Sequence, residues 1–209
     1  MQIRSLMIAA VAASLFAAGV AAAQDDAPAS LAIGAAAPMR DGKMKSVDGK
    51  DITLASAAGK KGTLVVFTCN HCPWAQAWQG RIAEIGNAAR KSGLGVVAIN
   101  SNDPAAYPDD DYASMQARAK KLNLRFPYVV DATSGVARAF GASHTPEAYL
   151  FDANGKLVYH GAIDDNAHDA AAVREHYLRH AVDAVVAGKS VPMAETKALG
   201  CSIKFRGDS

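Results

Sequence analysis

The stretch Cys69-Asn70-His71-Cys72-Pro73 constrains this chain more than any other. It joins an apolar, β-branched run, Thr63-Leu64-Val65-Val66-Phe67-Thr68, to a helical pattern that opens with Trp74-Ala75-Gln76-Ala77-Trp78. The fold must therefore deliver a buried strand straight into a helix, with two cysteines at the junction. A helix N-terminus offers unpaired N–H groups and the positive end of the macrodipole. Both favour a thiolate over a thiol, which makes Cys69 a candidate nucleophile near neutral pH. Cys72 follows one turn later, within reach to resolve a mixed disulfide.

The N-terminal residues read differently. Met1-Gln2-Ile3-Arg4 carries one positive charge, and an uncharged Ala-rich run extends from Ser5 to Ala23. It closes on Ala21-Ala22-Ala23 before Gln24, the order of a secretory signal peptide. The run is marginal for a bilayer span, which needs about 20 strongly apolar residues. We expect cleavage after Ala23, leaving no stable membrane anchor, and a soluble periplasmic protein. All three cysteines, Cys69, Cys72 and Cys201, lie in the exported part, which meets an oxidising compartment. Two close cysteines and a distant one make no structural disulfide framework; they read as a reactive pair plus a third thiol.

Half of the 209 residues are apolar and 20% are charged, which fits one globular domain with extensions. The net charge of +2 comes from scattered basic residues and gives no reason to expect nucleic acid.

The expected organisation is a signal peptide over 1–23, a flexible lead-in over 24–37, one domain over 38–190, and a tail over 191–209 that carries Cys201. Within the domain, Val47 to Leu54 has an Asp-Gly turn beside a short strand. A strand to Thr68, a helix over about Pro73–Ser92, a strand at Gly95–Asn100, a helix over Tyr112–Leu122 and a strand at Phe126–Val130 follow. Then come a short helix over Ser134–Phe140, a hairpin around Asp152-Ala153-Asn154-Gly155, and a long helix from about His168 to Ala187, stopped by Gly188. Asp109-Asp110-Asp111 lacks calcium-loop spacing and reads as a turn and helix cap. Strands alternating with helices imply an α/β protein with a partly parallel sheet covered on both faces.

This order, together with Phe67-Thr68-Cys69-Asn70-His71-Cys72-Pro73, Thr145-Pro146-Glu147, Leu150 to Tyr159 and Gly200-Cys201-Ser202-Ile203-Lys204, resembles the thioredoxin-like fold. More narrowly it resembles exported redoxins related to the AhpC/TSA and TlpA-like proteins, over roughly Leu31 to Phe205. The resemblance implies a three-layer fold: a central mixed β-sheet flanked by helices, with an N-terminal hairpin extension and a C-terminal tail. It implies thiol–disulfide exchange with protein thiols and a redox partner, and no cofactor. It also implies an exposed attacking Cys69, a partly buried resolving Cys72, and a cis proline at Pro146 facing them. Thr145 and Pro146 would form the substrate groove, the Thr145 backbone pairing with an extended substrate.

Asn70 and His71 would tune the pair. An imidazolium near the Cys69 sulfur stabilises its thiolate. That favours the reduced form and makes the pair more oxidising, as in DsbA. Two alternatives stay open. One is peroxide reduction, although no proline stands between Thr63 and Cys69 to complete the Pro-x-x-x-Thr/Ser-x-x-Cys peroxidatic pattern. The other is copper handling by Cys69, Cys72 and His144, since thiolates with imidazole suit Cu(I) or Zn. Cys201 is either a third redox thiol folded back to the site, an intermolecular bridge, or a small buried residue. The tail around it looks too polar to pack deeply. His176 and His180 sit one turn apart on a solvated helix face, without a hydrolase motif.

Overall fold

A computed structural model describes residues 30–207. The signal peptide expected over 1–23 lies outside the described residues, and no helix among them is long and apolar enough to cross a membrane.

The centre is a near-continuous apolar strand, β3 (Gly62–Phe67). Its neighbour β4 (Gly95–Asn100) is buried along its whole length. Such unbroken runs are what a sheet covered on both faces requires. Leu64, Val66, Val96 and Ala98 point to one core cluster, while Val65, Phe67, Val97 and Ile99 point to the other. This is the period-two alternation of a strand with two dry faces.

The remaining strands are β1 (Met44–Ser46), β2 (Asp51–Ile52), β5 (Tyr128–Val130), β6 (His144–Thr145), β7 (Glu147–Asp152), β8 (Leu157–Gly161) and β9 (Cys201–Ser202). The main sheet has the order β2-β1-β5-β4-β3-β7-β8. β3, β4 and β5 are parallel, and β1, β2, β7 and β8 join antiparallel, so the sheet is mixed. Helices α1 (Leu54–Ala57) and α4 (Gly135–Phe140) cover one face through Leu54, Val136 and Phe140. Helices α2 (Pro73–Lys91), α3 (Tyr112–Lys121) and α5 (Tyr177–Val186) cover the other through Trp78, Ile82, Met115, Leu178 and Val182. The expected three-layer, thioredoxin-like architecture is present.

Three local expectations change. The long helix foreseen from His168 begins at Tyr177. Before it, side chains capture the backbone: Asn166 accepts from the His168 and Asp169 N–H groups, Asp169 from Ala171, and Asp165 from Arg174. Asn and Asp compete with the helical ladder in this way. The lead-in is not loose from Ser30 onward, because Leu31 donates to Phe140 and Gly34 to Leu157, while Leu157 donates to Ala35. The tail packs as well. Its Ile203 is buried, its Thr196 N–H donates to His160, and β9 forms a separate two-stranded sheet with β6.

Candidate active site

Cys72 is the N-cap of α2 and Pro73 its first residue, so the sharp strand-to-helix junction fixes both cysteines at the helix mouth. The Cys69 Sγ lies 3.2 Å from the Thr145 Oγ1, and the Cys72 thiol reaches the Thr145 carbonyl at 3.2 Å. The Thr145–Pro146 peptide bond is cis. One residue of the facing loop thus meets both sulfurs.

Cys69 is less open than expected. It is 5% exposed and Cys72 is fully covered. Trp74 and Cys201 pack against the pair, so the tail provides part of the cover. Cys69 still keeps the greater access of the two.

The two sulfurs shift each other in opposite directions. Their mutual hydrogen bond, followed by burial and the Asp110 charge, raises the Cys69 thiol. The same hydrogen bond lowers Cys72 against the opposing effect of burial. The Thr145 contacts pull the other way: a hydroxyl can donate to Cys69, whereas the carbonyl facing Cys72 only accepts. The opposite shifts therefore belong to the pair rather than to either sulfur alone.

Asn70 turns inward. Its Nδ2 donates to the Asp109 carbonyl at 2.8 Å, and the Tyr128 hydroxyl donates to its Oδ1 at 3.1 Å. It therefore anchors the loop instead of facing a substrate. His71 stacks on Tyr107 at 3.9 Å between ring centres, and its Nδ1 lies 2.5 Å from Asp110 Oδ2.

Asp110 is the residue that sequence reasoning missed. It is 1% exposed and accepts from the Asn70 N–H (2.5 Å), the His71 N–H (3.2 Å) and Asn102 Nδ2 (2.9 Å). The acidic run reads as a turn and helix cap, and Asp111 does cap α3 through the Ser114 N–H, but that reading gives Asp110 no partner at the site. Glu147 was likewise noted only as part of a motif. Buried beneath the cis-proline loop, it accepts from the Ser143 and His144 N–H groups, from the Tyr149 hydroxyl, and from His160 Nε2 at 2.6 Å.

Among the described residues, the alternative metal set of Cys69, Cys72 and His144 does not bring its donor atoms together. His144 bonds instead to Ser143 Oγ at 2.8 Å. A different trio, Cys69, His71 and Asp110, brings its donor atoms within 4.8 Å of one another. His176 and His180 lie exposed near the start of α5.

Comparison with known proteins places this geometry in a family. The AhpC/TSA family matches residues 33–160. The chain belongs to the AhpC/TSA family. Among relatives of this redoxin, the thiol-disulfide oxidoreductase ResA of Geobacillus thermodenitrificans is 26% identical over 127 residues, spanning 61% of this chain and 67% of its own length. An uncharacterized conserved protein from Geobacillus kaustophilus has a solved structure similar at a TM-score of 0.79 and 35% identity, covering 85% of this redoxin and 94% of that chain. A thioredoxin-like protein solved in its oxidized form shares the fold at a TM-score of 0.58 and 21% identity, covering 76% of this redoxin and 97% of that chain. These relationships support a thioredoxin-like oxidoreductase.

Proposed function

We propose that this redoxin exchanges disulfides with protein thiols of the cell envelope through Cys69 and Cys72. The observation that carries the reading is the convergence of both sulfurs on Thr145, each at 3.2 Å, at the mouth of α2. Cys69 attacks a partner disulfide because it keeps the greater access. One partner sulfur leaves as a thiolate and takes up a proton, and a mixed disulfide forms. Cys72 then attacks the Cys69 sulfur, closing the Cys69–Cys72 disulfide and releasing the second partner thiol. Two electrons pass from the redoxin to its partner, and the reverse sequence oxidises a dithiol.

Export rests on the signal-peptide pattern over residues 1–23, with the periplasm as the compartment. The expected oxidising poise rested on His71 alone. The Asp110 carboxylate beside it opposes the effect by raising Cys69. The test is reduction of insulin disulfides by the reduced protein. Loss of turnover in Cys69→Ser and in Cys72→Ser supports the reading, and turnover that survives both substitutions refutes it.

A second reading has its own observation. The Cys69, His71 and Asp110 trio suits a borderline-soft cation such as Zn or, with the thiolate dominant, Cu(I). Titration of the reduced protein with either ion, followed by thiolate-to-metal absorbance, decides it. An absorbance that appears and is lost in His71→Ala supports the metal reading, and no absorbance removes it.

A further inference from the structure

The last strand lies where an extended partner would dock. β6 carries Thr145, the residue that touches both sulfurs, and its backbone is already paired: Thr145 stands opposite Cys201, and His144 opposite Ser202. The tail is clamped just beyond this point. The Ile203 N–H donates to the Ser143 carbonyl at 2.9 Å, and the Lys204 N–H to Asn102 Oδ1 at 2.8 Å. Gly200 passes so close to Thr145 that a Cβ there would stand 2.2 Å from its carbonyl oxygen. Only glycine allows that approach.

The pairing brings a third sulfur to the site. Cys201 packs against the buried cluster formed by Cys69, Cys72 and Ala75. Cys69 and Cys72 are buried, whereas Cys201 is only half-buried. The tail thus presents a thiol in a β-paired segment at the edge a substrate would use, next to a sulfur that substrates reach poorly.

We propose that Cys201 is a third exchange thiol and that the C-terminal strand is a built-in substrate, accepting the disulfide from Cys69–Cys72 to give Cys72–Cys201. This rests on the reading that Cys69 and Cys72 form a disulfide. The Cys201 thiolate attacks Cys72 Sγ, the Cys69–Cys72 bond breaks, and Cys69 leaves with the electron pair and takes up the proton Cys201 gave up. One disulfide and one thiol stand on each side, so the step needs no further oxidant. It moves the disulfide from two buried sulfurs to one that faces solvent. A bulky protein thiol can then attack Cys201 without displacing β9.

The test uses the full exported chain as wild type, Cys69→Ser and Cys201→Ser. Each reduced protein is equilibrated with oxidised glutathione, quenched in acid, alkylated and digested with trypsin. Cys72 falls in peptide 62–81 and Cys201 in peptide 198–204. The expected result is that Cys69→Ser loses both remaining thiols and yields these two peptides joined, without a lasting glutathione adduct. The wild type shows the same joined pair beside the internal Cys69–Cys72 disulfide. A Cys69→Ser protein that keeps glutathione on Cys72 or Cys201, with the peptides separate, overturns the proposal. Cys201→Ser reports on the reading beneath it. If that variant closes no disulfide within peptide 62–81, Cys69–Cys72 exchange itself fails, whatever Cys201 does.

Discussion

Asp110 Oδ2 lies 2.5 Å from His71 Nδ1, under the loop that carries Cys69. A carboxylate can only accept, so His71 donates from Nδ1 and the imidazole is held in one orientation against Tyr107. The positive charge that His71 could lend to a thiolate is met by a buried negative one. The poise of this pair is therefore a balance between the two residues rather than a property of His71.

Removing the carboxylate should release that balance. Asp110 raises Cys69 through its charge, and its oxygen lies within 4.8 Å of the sulfur. At an effective dielectric of about 20, such a separation is worth about 3 kcal/mol before His71 offsets it. We expect Asp110→Asn to lower the apparent thiol pKa of the pair by about one unit and to raise the reduction potential by about 30 mV. The pH profile of iodoacetamide alkylation measures the first and equilibrium with glutathione the second. An unchanged or higher thiol pKa would contradict the role given to Asp110.

Glu147 makes a prediction about stability. Burial works against its charge, but hydrogen bonds from His160, His144 and Ser143 outweigh it and hold the carboxyl below its ordinary value. A depressed folded-state pKa stabilises the protein above the unfolded value of about 4.3, and that stability is lost as pH falls through the folded value. Thermal unfolding as a function of pH should show a fall in Tm below about pH 4. Glu147→Gln should flatten that fall and cost about 1–3 kcal/mol near neutral pH, because buried donors lose a charged acceptor. A Glu147→Gln protein with the same acid dependence as the wild type would show that Glu147 does not carry it.

The strap formed by β9 should respond to one methyl group. A Cβ at Gly200 would stand 2.2 Å from the Thr145 carbonyl oxygen, a backbone atom that cannot swing aside. Overpacking of this kind costs about 1–3 kcal/mol, and about 1.4 kcal/mol is a tenfold change in a local equilibrium. Gly200→Ala should therefore raise the alkylation rate of Cys201 by about tenfold or more, with little change in global Tm. Alkylation at the wild-type rate would mean that the tail does not sit against Thr145.

The parts that could be read from the sequence were those with a strong local signal. The β-branched run before Cys69 and the amphipathic pattern after Pro73 both specify a strand and a helix whose burial supports them, and β3 and α2 lie where those patterns put them. The Asp-Gly and Asn-Gly turns marked both hairpins. The features that escaped depend on contacts between distant segments. Asp110 meets His71 across 39 positions, with no period or cap to betray it. The return of Cys201 to the site was one of three readings the sequence left open, and its pairing with Thr145 across the domain is what composition does not record. The tail looked polar because only Ile203 is deeply buried; its hold comes from backbone hydrogen bonds to Ser143 and Asn102, which leave no mark in side-chain composition. The helix expected from His168 failed for the opposite reason, since short polar side chains at Asp165, Asn166 and Asp169 took the N–H groups that a helix would use.

Exchange through Cys69 is tested most directly by trapping. In a Cys72→Ala, Cys201→Ser protein produced in its own cells, neither neighbouring thiol can resolve a mixed disulfide at Cys69. Cell-envelope proteins should accumulate on Cys69 as adducts that a reductant releases, and the further change Cys69→Ser should abolish them. An absence of adducts through Cys69, or adducts that persist when Cys69 is serine, would contradict exchange at this site.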